Sequence, residues 1–99
     1  MAVALSDTRH IKSMETLDSG TPGEVKMDWG KIIRFVCQAN CNILVLAHNH
    51  PQGEAKPSYQ DIQATRELVS YLKPIHLELF DHIVIGNGTA YSMAEHHDF

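Results

Sequence analysis

The chain has 99 residues, enough for one small domain and too few for a two-domain enzyme, since domains run to about 100–200 residues. With 43% hydrophobic and 20% charged residues it has the composition of a globular chain with a thin core, not of a disordered one. Eight Lys and Arg against twelve Asp and Glu give a net charge of −4 with His neutral, and the basic residues are scattered; this argues against a nucleic-acid partner, because binding a phosphate backbone takes a basic patch.

Ala2 to Leu5 is short and apolar, Ser6-Asp7-Thr8 is a polar turn, and Ile11 to Leu17 completes a predicted hairpin. Residues 18–27 carry Gly20, Pro22 and Gly23, the punctuation of a loop. From Asp28, a helix cap, the residues Trp29, Ile32, Ile33, Val36 and Cys37 form the apolar stripe of a core-facing helix. Asn42 to Ala47 is a continuous apolar run that predicts a buried central strand leading into His48-Asn49-His50-Pro51. A polar loop with Gly53 and Pro57 follows. Ser58 to Leu72 is a second helix, with Ile62, Thr65, Val69 and Leu72 on one face and Lys73-Pro74 as its stop. Residues 76–86 predict another strand, Asn87-Gly88 a type I′ turn, and Ala90 to Met93 a last strand. The order of elements predicts an α/β sandwich with a mixed sheet, in one unit without repeats or linkers.

No apolar run reaches the 18 or so residues of a membrane span, and the start lacks a signal peptide's basic and long apolar segments. The expectation is a cytoplasmic protein with no membrane partner. Cys37 and Cys41 are too few for a disulfide scaffold and fit a reducing compartment, as free thiols packed in the core.

Histidine is the compositional outlier, with seven residues. His48 and His50 stand two apart at the end of a strand, so both rings leave the same face and can chelate. Asp61, on the first turn of the next helix, can fold back beside them. Three N/O ligands leave a fourth position open, the arrangement of a catalytic zinc, whose bound water becomes a nucleophile at neutral pH. The plainer readings are two polar residues at a strand end, and a Ser58-x-x-Asp61 helix cap in which one carboxylate oxygen remains free to face a metal. A rival site joining Cys37 and Cys41 to the histidines fails on distance. Cys41 and His48 are seven strand residues apart, roughly 23 Å at about 3.3 Å per residue.

His48-Asn49-His50-Pro51, seven residues to Ser58 and two more to Asp61 match His-x-His-x7-Ser-x2-Asp, and the chain on this basis resembles the JAMM (JAB/MPN) metalloproteases. His-Asn-His-Pro-x-Gly around Gly53, Pro57-Ser58, Asp61-Ile62, Thr65 and Asp81-His82-Ile83-Val84-Ile85-Gly86 are similar to the RadC-like branch. Gln52 stands where Ser is more usual, away from any ligand. The resemblance covers nearly the whole chain. It implies a cytidine-deaminase-like α/β fold, a mixed β-sheet flanked by helices, with Zn2+ held by His48, His50 and Asp61. It further implies that Ser58 stabilises the oxyanion when an amide or isopeptide bond of a protein or peptide substrate is cleaved.

Active JAMM members also carry a general-base Glu on the first core strand, just before its apolar run. Here that position falls at or before Met1, so an N-terminally truncated domain is expected, and the alternative is an inactive metal-binding or protein-interaction module. Glu15 is a weak candidate for the base and Glu54 another; a solvated strand residue and a loop charge are their simpler readings. The helix-hairpin-helix region usual in RadC-like proteins is not represented, and a link to DNA repair rests on the family name alone. Asp81-His82 is read either as support behind a ligating His or as a structural pair at the start of a strand. His96-His97-Asp98, His10 and His76 are read as surface residues. An exposed sheet edge at the first strand would permit a homo-oligomer.

Overall fold

A computed structural model describes residues 1–16, 28–50 and 53–99. Strands β1 (Ala2–Leu5) and β2 (Ile11–Glu15) form the predicted hairpin, with Arg9 in the left-handed region at φ 63° in its turn. Leu17 and the predicted loop at residues 18–27 lie outside the described residues. Helix α1 (Trp29–Gln38) is capped by Asp28, whose carboxylate accepts from the Lys31 amide at 3.1 Å. Its buried residues are Ile32, Phe35 and Val36, with Trp29 and Ile33 partly buried against the core.

Cys37 corrects the expectation of two core thiols, because it is exposed while Cys41 is buried. With Val36 facing the sheet, the next residue is turned by about 100° and leaves the contact face. The buried face extends to the other side of Val36, toward Phe35, which the predicted stripe omitted.

β3 (Ile43–Asn49) runs two residues beyond the predicted end, because His48 and Asn49 continue the parallel ladder opposite Val84 and Ile85. Helix α2 (Tyr59–Leu72) then crosses back, and a single 3-10 turn at Lys73–Ile75 ends in His76, left-handed at φ 59°. β4 (Glu78–Gly86) starts two residues later than predicted because His76 has left extended geometry. Asn87 and Gly88 both take positive φ, 49° and 74°, as a type I′ turn requires before β5 (Thr89–Ser92).

The sheet order is β2-β1-β3-β4-β5, antiparallel except for the β3/β4 pair, which makes it mixed. A parallel neighbour needs a crossover, and α2 supplies it. β1 is paired on both sides, so the edge expected there belongs to β2. The hairpin folds outward because β3 takes the inner side of β1, with Ala2 opposite Leu46 and Ala4 opposite Leu44.

Ala2, Ala4, Leu44 and Leu46 meet Ile32, Phe35 and Val36 of α1 and Leu68 and Leu72 of α2 in one buried cluster. Trp29 and Tyr71 join the helices edge to face, with centroids 6.4 Å apart. His48 continues the alternation of Leu44 and Leu46 and therefore leaves β3 on the side covered by α2.

Candidate metal centre

The candidate centre forms at the carboxyl end of β3, around the last residues of the parallel pair, where open α/β sheets place ligands. His50 lies one residue past the strand. Its amide donates to the Ile85 carbonyl at 2.7 Å, so the backbone is held while the ring is presented.

Asp61 enters from the first turn of α2 through a reciprocal cap. The Ser58 hydroxyl accepts from the Asp61 amide at 3.1 Å, and the Asp61 carboxylate accepts from the Ser58 amide at 2.8 Å. The oxygen that caps the helix, Oδ2, is also the one facing the histidines, at 3.4 Å from His50 Nε2 and 3.7 Å from His48 Nε2. The two imidazole nitrogens are 3.0 Å apart. Burial pushes the Asp61 carboxyl up, but the His48 ring and the Ser58 amide outweigh burial and hold it well below the usual carboxylate range. It is an anion at neutral pH.

His48, His50 and Asp61 are the described residues whose ligand atoms come together as a group able to coordinate a metal ion, all within 4.8 Å. The chemistry of the donor set supports the fit. His50 Nδ1 is 3.2 Å from the Glu54 carbonyl, which only accepts, so the neutral ring carries its hydrogen there and leaves Nε2 bare beside a carboxylate oxygen. Ligands about 2.0–2.1 Å from a tetrahedral ion stand roughly 3.3–3.4 Å from one another. The observed separations of 3.0, 3.4 and 3.7 Å bracket that value.

Two further residues shape the centre. His82 is buried on β4, its Nε2 2.7 Å from His48 Nδ1 and its Nδ1 2.7 Å from the Thr65 hydroxyl, which donates to the Asp61 carbonyl at 2.8 Å. Burial, reinforced by the neighbouring His48, pushes the His82 pKa down to about 4, against the opposing pull of Asp61 and Asp81. A β-bulge aims this ring. Leu44 pairs with Leu79 but Val45 pairs with Asp81, so Phe80 is an extra residue, and Leu79 and His82 both face inward although they stand three apart. Phe80 turns outward, beneath the Arg9 guanidinium at 4.9 Å from its ring centroid.

Gly86 is the second. A Cβ there would lie 2.5 Å from the Gly53 carbonyl oxygen and 2.9 Å from the Ala55 amide nitrogen, so the loop that gives His50 its carbonyl partner packs directly on bare backbone. Gly86→Ala is expected to cost about 1–3 kcal/mol as the loop is forced away. A thermal melt, together with the histidine NMR signal of His50, checks this; an unchanged His50 signal would contradict the contact.

The predicted alternatives for Asp81-His82 divide between the two residues. Asp81 touches no ligand ring: its carboxylate accepts from the His82 and Ala94 amides and from the Ser92 hydroxyl, tying residues 92–94 to β4. It stands inside β4, not at its start. The ring behind His48 belongs to His82, and a histidine amid the apolar residues of a strand is the signal that could have found it. Thr65 was legible only as a polar residue in the buried stripe of α2.

Glu15 is exposed on β2, two strands from β3, beside a shallow depression with Phe35 and Gln38 of α1 and its C-cap Ala39. Glu54 contributes its carbonyl, not its carboxylate, to the centre. Cys41 donates its thiol to the Ala39 carbonyl, at the opposite end of β3 from the histidines. Tyr91 stacks on His96 and donates to Asp98, so these terminal residues form their own surface group.

A mixed sheet with both helices on the core, and a His-His-Asp group at the carboxyl end of its central strand, define an α/β domain with a candidate metal centre. The profile of the RadC-like JAB domain matches residues 1–98, so the chain belongs to that family, the RadC branch of the JAB/MPN proteins. It is 33% identical over 96 residues to a UPF0758 protein of Chloroflexus aggregans, covering 96% of this chain and 42% of that protein. It is 34% identical over 92 residues to a UPF0758 protein of Chloroflexus aurantiacus, covering 92% and 40%. Against the UPF0758 protein YkfG of Escherichia coli it is 33% identical over 92 residues, covering 93% and 58%. The chain thus spans between two-fifths and three-fifths of the length of these relatives. Among the described residues, no helix is long and apolar enough to cross a membrane.

Proposed function

We propose that this chain is a zinc-binding RadC-like JAB module, in which His48, His50 and Asp61 hold one ion and leave its fourth position open. The observation that carries this reading is the convergence of three ligand atoms at tetrahedral-edge distances around an anionic carboxylate. Two imidazoles and a carboxylate are a donor set suited to zinc. The reading extends to a domain without a nucleic-acid partner, on its charge of −4 and scattered basic residues.

A second reading, hydrolysis of an amide or isopeptide bond in a protein or peptide, is favoured by a donor set of three among the described residues, one fewer than a structural zinc site would use. Bound zinc supplies a Lewis acid that lowers the pKa of a coordinated water to about 7. Ser58 is suited to meet the developing charge. Its oxygen is engaged as the acceptor of the Asp61 amide, which orients the side chain and leaves its hydroxyl hydrogen to donate to an oxyanion.

Hydrolysis also requires a group to take the water proton, and no second carboxylate joins the cluster among the described residues. The register of β1 indicates where one would stand. Ala2 faces Leu46, so a residue added ahead of Met1 on the same strand would lie opposite His48, on the same side of the sheet.

Elemental analysis of the purified chain tests the main reading. One zinc per chain is expected, falling to background in His50→Ala; background zinc in the unaltered chain after incubation with excess ion would refute it. Cleavage of a peptide library separates the two readings. Zinc-dependent cleavage only after the strand is extended upstream with a Glu would establish the hydrolase, and zinc without cleavage in either chain would leave the binding module.

A further inference from the structure

We infer that Thr65 and His82 form a one-way hydrogen-bond chain that locks His48 in its Nδ1–H tautomer and so presents a bare Nε2 to the metal centre. This deepens the zinc-binding reading and rests on it for its functional meaning, although the tautomer itself can be observed without metal.

Proton bookkeeping starts at Thr65, four residues after Asp61 on α2. Its hydroxyl has one hydrogen and lies 2.8 Å from the Asp61 backbone carbonyl, which can only accept. The Met93 sulfur, at 3.9 Å, is a weaker and more distant acceptor. The hydrogen therefore points to the carbonyl, and the Thr65 oxygen accepts from His82 Nδ1 at 2.7 Å. A neutral His82 with its hydrogen on Nδ1 has a lone pair on Nε2. That atom is 2.7 Å from His48 Nδ1, which must then carry the hydrogen of its own ring. The last atom in the sequence, His48 Nε2, is left as a lone pair facing His50 Nε2 and Asp61 Oδ2.

Reversing the chain would leave the Thr65 hydroxyl oxygen and the Asp61 carbonyl oxygen 2.8 Å apart with no hydrogen between them from Thr65. The forward direction moves the unsatisfied contact to the cluster, where three electron-rich atoms converge and a cation relieves them. A buried imidazole thus does for His48 what the Glu54 carbonyl does for His50. The chain also connects the ligands: it begins on the backbone of Asp61 and ends on the ring of His48. Thr65 and His82 are positioning residues, since neither joins the group of ligand atoms.

Thr65→Val tests the inference, because it keeps the shape of the side chain and removes the hydroxyl. Affinity is measured with zinc alone, by competition against a chromophoric chelator, and the His48 tautomer by nitrogen-15 NMR of the metal-free chain at a pH where the ring is neutral. Thr65→Val is expected to bind zinc about 10–100-fold more weakly and to lose the pure Nδ1–H signal of His48, whereas Thr65→Ser stays within about threefold of the unaltered chain. Thr65→Ala removes the hydroxyl with different packing and must give the same result as Thr65→Val, so a folding defect in one variant leaves the other decisive. Unchanged affinity and tautomer in a folded Thr65→Val or Thr65→Ala chain would overturn the inference. So would an Nε2–H signal for His48 in the unaltered chain. If the unaltered chain bound no zinc, the zinc reading would fall, and the NMR comparison would still decide the relay.

Discussion

Zinc at a thousandfold excess over its dissociation constant is expected to stabilise the folded chain by about 4 kcal/mol, because an ion bound only by the assembled centre shifts folding by mass action. For a chain of 99 residues this is a rise of roughly 15–30 °C in the melting midpoint. Two variants separate the roles of the ligands. His50→Ala removes one ligand from outside the regular elements and should abolish the zinc-dependent rise while leaving the metal-free melt nearly in place. Asp61→Ala should abolish the rise and also lower the metal-free stability by about 1 kcal/mol, because the same carboxylate oxygen closes the helix cap with the Ser58 amide. Scanning fluorimetry with and without zinc measures both. A midpoint insensitive to zinc in the unaltered chain would remove the basis for the assignment.

Acid should destabilise the metal-free chain well before its ordinary carboxylates titrate, through His82. Its ring has a folded pKa of about 4, pushed down by burial, against about 6.5 in an unfolded chain. Between these values the unfolded state binds the extra proton, so stability rises with pH across the window and falls as pH drops from about 6.5 to 4. The full effect is on the order of 3 kcal/mol, complete at about pH 4 and absent above pH 7. Asp61 acts at lower pH. Its depressed folded pKa means that its contribution is intact above the ordinary carboxylate value near 4 and is lost as pH falls through the folded pKa. Urea midpoints at pH 7, 5.5 and 4.5 test the histidine, with His82→Gln expected to flatten the profile. A constant midpoint over that range in the unaltered chain would show that His82 is not held neutral by burial.

The candidate metal ligands were legible because their signal is local. His48 and His50 share a face by the twofold period of a strand, and Asp61 reaches them because Ser58 and Asp61 form a cap at a spacing that any helix start would use. The cap and the candidate centre were not competing explanations of that spacing. One oxygen of Asp61 serves both, where a division between its two oxygens was the simpler expectation. Element order was legible for the same reason, since each helix and strand carries its own period and punctuation.

Other features depend on pairings that no local period encodes. The buried face of α1 takes in Phe35 and leaves Cys37 exposed because the angle at which a helix meets a sheet decides which side of a broad stripe is covered. β1 became an interior strand, and Glu15 was carried to the outer strand, because β3 paired with the side of β1 away from the hairpin.

The amino-acid sequence by itself determined the candidate ligand set, the capped helix that presents Asp61, and the family to which the chain belongs, since these lie in residue identity at short spacings. Tertiary structure decided what stands behind the ligands. It brings His82 to His48 across 34 residues, turns His82 inward with one extra residue in β4, and seats the 53–55 loop on Gly86. These contacts depend on strand register and on a crossover helix, and register is settled by the packing of the whole sheet and not by the residues that meet there.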